Sequence, residues 1–208
     1  MTTVLEKPNS KSTVKQRLLG AAMTLYHQHG IATTTIADIA LTANVPLGNV
    51  YYHFKSKEAL ISAVIAARRK EVQAELELAG CEANPLERLR SLIKDSHNNR
   101  ELLTAHGCPY ASLAQGLRDT GGILAEQAGE LLGLHIEFAE QQFILLQNPQ
   151  AQALAADFIA RLYGAYTLAN AMNNPIFLDQ QLERIETWLE QAASEQTKWS
   201  NPTQGSLK

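Results

Sequence analysis

The stretch from Thr35 to Lys57, TIADIALTANVPLGNVYYHFKSK, constrains the fold more than any other part of the chain, because it sets two short helical patterns on either side of a tight break. Thr35 is a natural N-cap, and Asp38 stands three residues on, where a capping-box acid belongs. A helix is therefore expected from Ile36, with Ile39 and Ala40 continuing its buried face and Ala43 closing it. Within the break Thr42-Ala43-Asn44, Asn44 is the residue best able to take a left-handed backbone without glycine. Pro46 fits the first turn of the next helix, where its missing N–H costs nothing. In that helix Val45, Val50 and Phe54 are expected inward, and Leu47, Gly48, Asn49, Tyr51, Tyr52 and His53 outward.

Such an outward face is costly in plain water. Gly48 alone lowers helix stability by roughly 1 kcal/mol relative to alanine, but it lets another surface approach the backbone. Asn49 can hydrogen-bond a base edge and Leu47 can pack on a thymine methyl, while the tyrosine hydroxyls, Lys55 and Lys57 can reach phosphates. These are the requirements of a DNA recognition helix. An ordinary helical hairpin with half-buried tyrosines is the competing reading of the same residues.

The longer run Thr34–Leu60, TTIADIALTANVPLGNVYYHFKSKEAL, resembles the DNA-binding signature of TetR/AcrR-type transcriptional regulators, a resemblance covering roughly residues 12 to 65. It includes Thr34-Thr35 before the second helix, Asp38-Ile39-Ala40 within it, Val45 leading into the third, the block Val50 to Lys57, and Glu58-Ala59-Leu60 opening the fourth. Pro46 departs from it, standing where that family often has a serine or threonine cap. The resemblance implies an all-α chain: an N-terminal three-helix helix-turn-helix domain, then a C-terminal helical bundle for ligand binding and dimerisation. It implies a homodimeric repressor on a pseudo-palindromic double-stranded DNA operator, released by a small-molecule effector. Bases would be read by Leu47, Gly48 and Asn49, and phosphates contacted by Thr35, Tyr51, Tyr52, His53 and Lys57.

The rest of the chain agrees with this plan. A helix is expected from Ser12, as cap, to about Gln28, ended by Gly30. Ser56 would cap a linking helix over 57–79, so the domains are read as 1–57 and 58–208. Asn84-Pro85 opens a helix expected to end near His106-Gly107. Further helices are expected from Cys108-Pro109 to Leu117, Ile123 to Leu146, Ala151 to Met172 and Leu178 to Ser194, with no strand pattern anywhere. The seams Phe158, Leu162, Ala165, Ala169 and Leu182, Ile185, Leu189 suit helix packing, and with the family's use of its last two helices they are the expected dimer interface. Covering their own core is the plainer alternative. Small residues such as Ala160, Gly164 and Ala171 would let a second chain come close.

Charge separates the two parts. Residues 1 to 57 hold six lysines and arginines against Glu6 and Asp38, a balance of +4, and the whole chain is −3, so 58 to 208 carries −7. A basic head on an acidic body fits a DNA-binding end. Residues 1 to 11 read as a loose arm, either a solvated tail or one whose Lys7 and Lys11 reach DNA, and 197 to 208 as disordered. No apolar run approaches the ~20 residues of a membrane span, and the N-terminus lacks a signal-peptide core, so a cytoplasmic protein is expected. Cys81 and Cys108 make neither a disulfide framework nor a metal motif, so neither metal nor cofactor is expected.

Candidates for the effector pocket are Cys108 and Tyr110, then His135, Phe138 and Phe143, then Tyr163 and Tyr166; singly His135 and the aromatics also read as core residues, and together they suggest a moderately apolar ligand with at least one polar group. Cys108 has two readings: a buried, unreactive cysteine, or, beside His106 and at a helix start, a thiol of lowered pKa that senses oxidants or electrophiles. A ligand-blind architectural DNA binder is the other alternative. An enzyme would have to draw on Cys108 with His106 or His135 and Glu137, and no spacing there specifies a reaction.

Overall fold

The computed structural model describes residues 12–194, and among these every regular element is a helix. There are ten: α1 Val14–His29, α2 Ile36–Thr42, α3 Leu47–His53, α4 Lys57–Gly80, α5 Pro85–Asn98, α6 Arg100–His106, α7 Pro109–Arg118, α8 Gly122–Leu145, α9 Ala151–Met172 and α10 Pro175–Ser194. The expectations for 1–11 and 197–208 lie outside the described residues. No helix of the described residues is long and apolar enough to cross a membrane.

The chain divides into two compact units, one of residues 1–70 and 112–129, the other of 71–111 and 130–208. The division falls inside α4, between Lys70 and Glu71, rather than at residue 57, because α4's first four turns bury Leu60, Ile61, Val64 and Ile65 in the same unit as α1 to α3. In this first unit α1 packs on α2 and α2 on α3. Leu18, Ala22, Ile39, Val50 and Phe54 form the centre of their core.

Local chemistry explains where these helices start and stop. Thr13, not Ser12, caps α1, with Gln16 completing a capping box. The shorter Asp38 completes the same device with Thr35 at the head of α2. Three non-glycine residues have positive φ: Asn44 at 51°, Gln147 at 58° and Asn173 at 47°. Each follows a helix whose last carbonyls it helps to satisfy. After α2, Asn44 N–H donates to Leu41 O at 3.0 Å and Val45 N–H to Ala40 O at 2.9 Å, the paired bonds of a Schellman closure. The same pairing recurs at Gln147-Asn148 and at Asn173-Asn174. Asn44 therefore makes the turn of the helix-turn-helix with no glycine in it.

In the second unit α10 packs on α9, α5 and α6, and α6 packs on α9. One expected helix is two here. At Asn99 (φ −101°, ψ 11°) the path from Pro85 breaks, with the side-chain amide donating to Asp95 O at 3.0 Å and Asp95 Oδ2 at 3.1 Å. An asparagine competing for its own helix's polar groups interrupts the pattern with no glycine or proline to announce it.

The expected dimer seam is also corrected. Phe158, Leu162, Ala165, Ala169, Leu182, Ile185 and Leu189 are all buried inside a single chain, in one core with Leu89, Leu92, Phe143 and Leu178. Phe158 further stacks on Trp188 with ring centroids 6.3 Å apart. A seam that fills its own core cannot face a second copy. Leu182→Ala should therefore destabilise the folded chain by about 2–5 kcal/mol. Urea unfolding at low and high protein concentration checks this, and the same loss is expected at both.

Candidate nucleic-acid interface and effector cluster

The DNA-facing candidates are presented by α3 and the turn after it. Val50 anchors the helix with no exposed surface, and Val45 and Phe54 are buried at its two ends. The opposite face is open: Leu47, Gly48, Asn49 and Tyr51 are exposed, Tyr52 is 78% exposed, and His53 is half-buried. A Cβ added at Gly48 would meet nothing within 4 Å, so the backbone there is bare to an approaching surface. Pro46 sits at the N-cap position rather than in the first turn and offers no side-chain cap.

Basic groups flank this face. The Lys55 ammonium lies 5.9 Å from the centroid of the Tyr52 ring, which meets His53 edge-on at 5.1 Å. Lys15, on α1, lies 5.7 Å from the Phe54 ring. Lys15 escaped the sequence reading because nothing in α1's periodicity ties it to the end of α3.

Two expected phosphate contacts have other work. The Lys57 ammonium donates to Ile31 O at 2.8 Å and Thr34 O at 2.9 Å, tying the first turn of α4 to the α1–α2 connection. Thr35 gives both its donors to one carboxylate oxygen: its hydroxyl reaches Asp38 Oδ2 at 2.6 Å and its N–H reaches it at 2.9 Å. Those bonds, the hydroxyl's first, hold the Asp38 carboxyl below the usual range. A phosphate at Thr35 would find no free donor and an ionised acid. Beneath this network, burial and then the charge of Glu58 push the Tyr26 phenol up to about 12.

In the second unit, most of the effector candidates come together. His135 is buried, with ring centroids 5.6 Å from Tyr110 and 6.0 Å from Tyr163, and Tyr163 lies 5.6 Å from Tyr166. The Tyr163 hydroxyl is 3.3 Å from His135 Nδ1. Tyr166 is bonded to Ser96, which also donates to Leu92 O at 2.7 Å. Burial above all raises both tyrosine pKa values. Phe143 stands apart as a fully buried core residue, and Phe138 is half-buried against that core.

Sequence reasoning missed Glu75 of α4. Its carboxylate faces the Tyr110 hydroxyl at 3.4 Å and His135 Nε2 at 3.5 Å. The available signal was its place one turn after Val72 and one before Ala79, on α4's inward stripe. Of the two readings of Cys108, the buried, unreactive one fits the structure. Cys108 is buried, and desolvation pushes its thiol up despite backbone hydrogen bonds and the Tyr163 hydroxyl, which act the other way. Among the described residues no cluster of three or more His, Cys, Asp or Glu is placed to hold a metal ion.

A family model described as "Bacterial regulatory proteins, tetR family" matches residues 18–64. The chain is 37% identical over 82 residues to the "Probable acrEF/envCD operon repressor" of Escherichia coli (strain K12), covering 38% of this chain and 37% of the relative. It is 30% identical over 121 residues to the "HTH-type transcriptional repressor KstR2" of Mycolicibacterium smegmatis, covering 55% and 56%. The chain thus spans 37% to 56% of the length of these two curated relatives. The crystal structure of a TetR transcriptional regulator from Legionella pneumophila matches with a TM-score of 0.77 over 88% of this chain and 98% of that one. At 22% identity that likeness shows the fold alone.

Lys57→Met separates a fold role from a DNA role. Removing the ammonium leaves two carbonyls without their donor, at an expected cost of about 1–3 kcal/mol. The slope of log affinity against log salt should stay unchanged on any duplex the folded variant binds. A slope reduced by about one would put Lys57 on a phosphate.

Proposed function

We propose that this chain, which belongs to the TetR/AcrR family of regulators by its N-terminal domain, binds an inverted-repeat operator as a homodimer and lets go when a small molecule occupies its second unit. The observation that carries the DNA-binding part is the open face of α3, where Leu47, Gly48 and Asn49 lie bare above a fully buried Val50. Asn49 supplies a donor and an acceptor for a base edge, Leu47 a surface for a thymine methyl, and Gly48 the clearance for both. Tyr51, Tyr52 and His53 take phosphates, with Lys55 and Lys15 adding charge at the rim.

Dimerisation is assigned to the side of α9 turned away from its core. Ala160, Leu168, Ala171 and Met172 are exposed there and Gly164 is half-exposed, with Ile176 following at the start of α10. One recognition helix reads too few base pairs for useful specificity, which is the physical case for two. The effector would act by binding more tightly to a form whose two α3 helices no longer match successive major grooves. The chain is read as a cytoplasmic regulator without catalysis. The electrophile-sensor alternative loses support from the burial of Cys108; the architectural alternative is told apart by a DNA affinity that no metabolite changes.

Selection of bound duplexes from a random pool, at a stated salt concentration, tests the reading. An enriched inverted repeat is expected. Asn49→Ala should then lose discrimination at one position of each half-site, worth about 1–3 kcal/mol. Enrichment of a single half-site would remove the dimer, and salt-sensitive binding without enrichment would favour the architectural alternative.

A further inference from the structure

Glu75 is the anomaly of the second unit. An acid on the inward stripe of a helix, with its side chain only 26% exposed, ordinarily takes a lysine or arginine partner, because a partly desolvated charge is costly without one. Among the described residues, Glu75 has neither; its partners are a phenol and an imidazole, at 3.4 and 3.5 Å. Both contacts are long beside charge-assisted hydrogen bonds, which close to about 2.7–2.9 Å. Asp95 adds a second negative charge. Its carboxyl is raised by desolvation and then by the charge of Glu75, and its side-chain partner is the amide of Asn99. Two acids thus influence each other with no fixed cation paired to either.

The groups beside Glu75 are rings. Tyr110, His135 and Tyr163 form a continuous aromatic series with neighbouring centroids 5.6 and 6.0 Å apart. A carboxylate flanked by electron-rich rings holds organic cations, drawing them both by charge and by the ring quadrupoles.

We infer that the effector is an organic cation, an amine or quaternary ammonium on an apolar body, and that Glu75, with the rings of Tyr110, His135 and Tyr163, takes its charged head. This rests on the ligand-responsive reading above. An anionic ligand would meet two carboxylates, and a neutral one would leave Glu75 uncompensated.

Three benzyl probes with tetrahedral heads test it by titration calorimetry on the full chain: benzyltrimethylammonium, the neutral benzyl methyl sulfone, and the anion phenylmethanesulfonate. The cation should bind saturably and at least about tenfold more tightly than the sulfone, with no binding of the sulfonate. Glu75→Gln should erase that preference and Asp95→Asn should reduce it. If Glu75→Gln does not fold, the order of the three probes on the unmodified chain and the Asp95→Asn result still decide. No saturable binding of the cation, equal affinities, or a preference unchanged in folded Glu75→Gln overturns the inference. An enriched inverted repeat from a chain with no cation preference would sink this inference alone. A Glu75-dependent cation site in a chain without sequence-specific DNA binding would sink the regulator reading alone.

Discussion

The ammonium of Lys57, held between the carbonyls of Ile31 and Thr34, is the interaction on which the DNA-binding unit depends. It joins the start of α4 to the connection between α1 and α2 and satisfies two carbonyls that no helix can satisfy. The short helices α2 and α3, of seven residues each, are too short to persist alone in water. They are kept by what they pack against. With Thr34 bonded to Gly30 O at 2.7 Å and Arg68 reaching Met23 O at 3.1 Å, side chains from α4 and the connection meet carbonyls within α1 and just after its end. The open face of α3 can then carry a glycine and exposed rings, because its stability comes from Val50 and Phe54 on the other side.

The second unit follows a different rule. Its core is apolar, with Phe143, Phe158, Leu178, Leu182 and Leu189 fully buried. Against this sits a group of polar side chains from α4, α5, α7, α8 and α9 whose hydrogen bonds are mostly with one another and often long. Stability alone gives no reason to keep Glu75, His135, Tyr163 and Tyr166 where leucines would pack. Buried polar groups are retained at a cost in desolvation, and a function that uses them is the physical explanation.

Much of the fold was legible in the sequence because its signals are local. Thr35 with Asp38, Asn44, Asn84-Pro85 and Ser56 each set a helix end through bonds within a few residues of themselves, and each does so in the structure. The outward face of α3 was legible for the same reason. The misses are of another kind. Lys57 was read as a phosphate contact because its intramolecular partners are 23 and 26 residues away. The seam on α9 and α10 was assigned to a second chain, although periodicity shows only that a face is buried and not what buries it. Glu75 was passed over inside a run of charges, although Val72 one turn before it and Ala79 one turn after it mark the same inward stripe of α4.

The central claim is that α3's open face meets duplex DNA. A photo-cross-linking amino acid placed at Tyr52, and separately at exposed Ile176 on α10, tests this most directly on a duplex recovered by selection. The account predicts cross-links to DNA from position 52 and none from position 176. Cross-links from 176 with none from 52 would contradict it.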